Sequence, residues 1–66
     1  MSRDIEQDII QALRNLPLAI VVTRKTNEEH TWYIWQCLEA SGTAIDLVSA
    51  MNNALHFLIG RISNFH

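Results

Sequence analysis

Thr31-Trp32-Tyr33-Ile34-Trp35-Gln36-Cys37-Leu38, following closely on Leu18-Ala19-Ile20-Val21-Val22-Thr23-Arg24-Lys25, is the stretch on which the architecture turns. Both runs are rich in β-branched and aromatic residues, the composition of strands. Only Thr26-Asn27-Glu28-Glu29-His30 separates them, so an antiparallel hairpin is the simplest connection. A loop with an odd number of residues sets Val22 opposite Ile34. One face then gathers Leu18, Ile20, Val22, Trp32, Ile34 and Leu38, and the other Ala19, Val21, Thr23, Tyr33, Trp35 and Cys37. A loop with an even number slips the pairing by one residue and exchanges the faces of the second strand, because side chains alternate along a strand. The odd loop is the expected one. It predicts Trp32 inside with Arg24 stacked beside it, and Tyr33 and Trp35 outside.

Working outward, each flank reads as a helix. Ile5, Ile9, Ala12, Leu13 and Leu16 recur at helical spacing, and Asp4, Glu6 and Asp8 sit in the early turns, where the helix dipole favours anions. Ser2 or Asp4 can cap this helix, and Pro17 stops it, giving a span from about Arg3 to Asn15. Downstream, Thr43-Ala44-Ile45-Asp46 has the form of a capping box. Ala44, Leu47, Val48, Met51, Ala54, Leu55, Leu58 and Ile62 follow as a long apolar stripe, widened by Ile59. The stripe is long enough to span a bilayer, but Asp46, Asn52, Asn53 and His56 interrupt it, so no membrane span is expected. The predicted fold is a single α+β domain over residues 1–66. It is an αββα arrangement with both helices packed on one face of the hairpin, and its outer edges can form a longer sheet across a dimer.

The totals narrow the function classes. A chain of 66 residues has a thin stability margin, and such chains lean on disulfides, metals or a second subunit. Cys37 is the only cysteine, which rules out an intrachain disulfide; we read it as a small buried hydrophobe in a reducing cytoplasm. His30, Cys37, His56 and His66 lack the paired spacing of a structural zinc site, so neither metal nor cofactor is expected. The amino terminus shows no signal-peptide pattern. A net charge of −2 disfavours nucleic acid as the main partner. Between Asp46 and Arg61 the chain carries no formal charge, and Phe57 and Ala50 lie away from the main stripe. A homodimer is expected, and the cover of this flank is either the second copy or a different partner.

No catalytic set emerges. His56 has Ser49, Asn52 and Asn53 on its side of the second helix, but no nucleophile stands beside an oriented base, and Gly42 and Gly60 are too isolated to cradle phosphate. The chain therefore reads as a non-enzymatic cytoplasmic protein that binds another protein, in the style of a phage- or bacteria-encoded inhibitor or adaptor. The expected anchors are Tyr33, Trp35 and Phe57, with Arg24, Lys25, Glu28 and Glu29 as a charged rim, since large aromatics dominate interface energetics. The alternative is a dimeric nucleic-acid-associated regulator that stacks bases on the aromatic face.

Overall fold

Asp4 opens the first element. In the computed structural model, which describes residues 4–63, its carboxylate accepts a hydrogen bond from the Gln7 N–H at 3.1 Å and so caps α1, Ile5–Asn15. The start at Arg3 and the alternative cap Ser2 lie outside the described residues. The helix ends at Leu16, which is extended at φ −86° and ψ 147°, the conformation that a following proline favours. Ile10 and Leu13 bury themselves, while Ile5 and Ile9 on the flank of the helix, and Leu16 just past its end, stay exposed.

The hairpin follows as β1, Ile20–Thr26, and β2, Thr31–Cys37. Its loop is Asn27 to His30, an even connection, and Val22 pairs with Trp35 rather than Ile34. Asn27 decides this. Its N–H donates to the His30 carbonyl at 2.9 Å, and its side-chain oxygen accepts from the N–H groups of Glu29 and His30 at 2.8 and 2.7 Å. An asparagine side chain can mimic a backbone turn in this way. The predicted faces of β2 are thereby exchanged: Tyr33, Trp35 and Cys37 join Ile20, Val22 and Arg24, and Trp32 and Ile34 turn to the other side.

A third strand, β3, spans Ala40–Ala44 and pairs antiparallel with β2, giving a sheet of order β1-β2-β3. The α+β class and the two helices over one face of an antiparallel hairpin hold, but the element order is αβββα. Leu38 and Glu39 form the two-residue turn into β3, with Leu38 in the left-handed region at φ 57°. Thr43 is therefore a strand residue, not a helix cap. The cap is Asp46, whose Oδ1 accepts from the Ser49 N–H at 2.7 Å, and α2 runs Leu47–Ser63. The far end of α2 is tied back to the β2–β3 turn by the Arg61–Glu39 ion pair.

One core joins all of this. Ile10 and Leu13 of α1, Ile20, Val22, Tyr33 and Cys37 of the sheet, and Leu47, Ala50 and Ala54 of α2 form one buried cluster. Trp35, Met51, Leu55, Phe57 and Leu58 pack partly buried against it. Among the described residues, no helix is long and apolar enough to cross a membrane.

Candidate protein-binding surface

The exchange of faces relocates most of the expected anchors. Tyr33, expected outside, is only 5% exposed, and its hydroxyl donates to Glu6 Oε1 on α1 at 2.6 Å. This bond and burial both push the Tyr33 pKa up. Trp35 lies on the same helix-covered face, half-buried, with its indole over Gly42. A Cβ added at Gly42 would meet the ring at 2.8–3.0 Å. Phe57 is likewise packed against the core rather than standing free. All three expected anchors thus pack inward, Tyr33 and Trp35 because the four-residue loop sets the alternation of β2, and Phe57 because α2 turns it toward the core.

Arg24 is also occupied. Its guanidinium donates from Nη2 to Asp4 Oδ2 at 2.5 Å, and from Nη1 to Asp4 Oδ1 and Glu6 Oε1, each at 3.2 Å. The hydrogen bond from Arg24 holds the Asp4 carboxyl below its ordinary range, and the paired carboxylates raise the pKa of Arg24. Asp4, Glu6, Arg24 and Tyr33 together clamp the first turn of α1 onto the sheet. The expected stacking of Arg24 on Trp32 does not form, because the two side chains lie on opposite faces. Glu28 and Glu29 stay exposed in the hairpin loop, where with Asn27 they line a shallow cavity of about 290 Å³.

The face turned away from both helices carries Val21, Thr23 and Lys25 of β1, Trp32, Ile34 and Gln36 of β2, and Ser41 and Thr43 of β3. Trp32, Ile34, Val21 and Thr23 are half-buried by their neighbours in the sheet, and Lys25, Gln36, Ser41 and Thr43 are exposed around them. Trp32 pairs across the ladder with Lys25, and Ile34 sits between Thr23 and Thr43. An aromatic and a branched aliphatic side chain on one sheet face, with Lys25, Gln36, Ser41 and Thr43 exposed around them, can anchor a partner. Sequence reasoning missed Trp32 and Ile34 as surface residues; Asn27, read as a turn former closing an even loop, was the signal that would have found them.

His30 and His56 are exposed, and Cys37 is fully buried, as expected for a small hydrophobe. Among the described residues, no group of three His, Cys, Asp or Glu side chains could hold a metal ion; His66 lies outside them. No family model matches this chain, and neither a curated protein nor a solved structure matches it.

Proposed function

We propose that this chain is a non-enzymatic binding module, an inhibitor or adaptor of a larger protein, and that it docks through the uncovered face of its sheet. The observation that carries this reading is that Trp32 and Ile34 share the face opposite both helices, Ile34 at its middle and Trp32 toward the hairpin end. Trp is among the residues most enriched where binding energy concentrates. Lys25, Gln36 and Thr43 form the polar rim, whereas Arg24 is held by Asp4 and Glu6 and Glu28 and Glu29 lie in the hairpin loop. A free, buried Cys37 suits a reducing compartment such as the cytoplasm.

The test is affinity capture from a host lysate with the wild type beside Trp32→Ala, followed by titration of the captured protein once purified. Trp32→Ala should cost at least about 2 kcal/mol of affinity with circular dichroism unchanged, as truncation of an interface anchor does. Undiminished binding by Trp32→Ala and Ile34→Ala would remove the sheet face as the site. The nucleic-acid alternative would rest on Lys25 beside Trp32, since Arg24 is engaged by two carboxylates. It predicts binding to a single-stranded oligonucleotide that weakens steeply as salt rises.

A further inference from the structure

We infer that two copies of this chain pair through the outer edge of β3, antiparallel about a two-fold axis at Gly42, joining their three-stranded sheets into one. Hydrogen-bond alternation fixes what that edge presents. In an antiparallel ladder, directly opposed residues alternate between exchanging both backbone bonds and exchanging none. The Asn27 N–H donates to the His30 carbonyl at 2.9 Å. Alternating along the ladder from that pair, Lys25–Trp32, Thr23–Ile34 and Val21–Gln36 exchange bonds. Tyr33, Trp35 and Cys37 therefore turn their backbone groups to β3, opposite Ala44, Gly42 and Ala40. The N–H and C=O groups of Ser41 and Thr43 are left pointing out of the sheet, and both residues are exposed.

The two edges of the sheet differ. On β1, Ile20 and Val22 are buried, Arg24 is tied to α1 by Asp4 and Glu6, and Lys25 is charged and exposed. Coverage and charge are what keep an edge from pairing. β3 has neither: Ala40-Ser41-Gly42-Thr43-Ala44 contains no charge and no proline, and it follows β2 in unbroken register. One open edge per chain also closes the assembly at two copies.

The strand is its own complement, which selects a second copy over a foreign strand. With Gly42 opposite Gly42, Ser41 of each copy exchanges both backbone bonds with Thr43 of the other; a register centred on Ser41 or on Thr43 aligns only one such pair. Gly42 then falls where no bonds are exchanged and opposed Cα atoms approach to about 4.5 Å, and it brings no side chain to obstruct them. Past the ends of the strand, Ile45 of each copy lies beside the Leu38–Glu39 turn of the other. Ile45 and Leu38 are 83% and 53% exposed in the single chain. The charges there are already engaged, Glu39 by Arg61 and Asp46 by the Ser49 N–H. The pairing uses the β3 backbone and not Trp32, so it stands or falls independently of the docking surface proposed above.

Sedimentation equilibrium of the full chain, from micromolar concentration to the limit of solubility, together with hydrogen exchange of the backbone amides, tests this. The mass should rise toward twice 7.6 kDa, and the Ser41 and Thr43 amides should gain protection in step with it. Thr43→Pro removes an outward N–H, at a place where an edge strand tolerates proline. It should weaken association at least about thirtyfold, since two backbone bonds are lost from each pair of copies. Thr43→Ala keeps that backbone and should associate as the wild type does, as should Trp32→Ala. If Thr43→Pro unfolds by circular dichroism, the two amides of the wild type decide. A mass of 7.6 kDa at every concentration overturns the inference and leaves the edge to a strand of another protein. So does a dimer whose Ser41 and Thr43 amides exchange as fast as in the single chain, because its interface lies elsewhere.

Discussion

Gly42 and Trp35 illustrate how little room a core of this size leaves. The indole lies so close over Gly42 that even a methyl group there would press on the ring at 2.8 Å. Gly42→Ala should therefore destabilise the chain by about 1–3 kcal/mol, the usual cost of overpacking. Urea denaturation would measure it, and Trp35 fluorescence would shift as the ring moves. The Tyr33 hydroxyl makes a different contribution. Its bond to Glu6 is charge-assisted but partly open to solvent, so Tyr33→Phe should cost about 1 kcal/mol, the size of an ordinary neutral hydrogen bond. The linked titrations have opposite signs. Asp4 has a lowered folded-state pKa, so its contribution is present above the ordinary value of 3.8 and is lost as pH falls through the folded value. Tyr33 has a raised pKa, so its contribution is present below 10.0 and is lost as pH rises from there through the folded value. Stability measured across pH should show a loss at each end, and Tyr33→Phe should abolish the alkaline one.

At the scale of the element, β3 and the start of α2 depend on each other. Ala40-Ser41-Gly42-Thr43-Ala44 has little strand propensity; it is a strand because β2 offers an open edge and Gly42 admits the Trp35 ring. Recruiting Thr43 into β3 moves the helix start to Asp46. Substitution separates the two caps: Asp46→Ala should cost about 1 kcal/mol, as loss of an N-cap does, and Thr43→Ala, on the exposed face, should lie within about 0.5 kcal/mol of wild type. Thermal unfolding of the two variants side by side checks this. If Thr43→Ala proved the costlier change, α2 would begin earlier than Leu47.

For the whole molecule, the register of one hairpin decides which aromatic residue supports the fold. Tyr33 is in the core, so Tyr33→Ala should cost about 3–5 kcal/mol, as much as the entire margin expected of so small a domain. It should leave the chain unfolded by circular dichroism. Trp32→Ala should keep the fold. A stable Tyr33→Ala beside an unfolded Trp32→Ala would restore the odd-loop register.

The amino-acid sequence by itself determined the α+β class, α1 with its stop at Pro17 and a cap at Ser2 or Asp4, the two strands of the hairpin, and the apolar character of α2. Each of these rests on local rules: periodicity, capping, and the restriction that proline places on its neighbour. The tertiary structure alone decided the register, β3 and the surface that remains open. A shift of one residue leaves the composition and periodicity of a strand unchanged while turning every side chain over, so Trp32 and Tyr33 exchange roles with no trace in the strands themselves, and the one local signal lay outside them, in Asn27. The β2–β3 turn was equally silent, because Leu38 takes a left-handed conformation that glycine or asparagine would have advertised. The pairing of β3 with β2 and the Glu39–Arg61 ion pair hold the turn there, and those contacts exist only once the chain has folded.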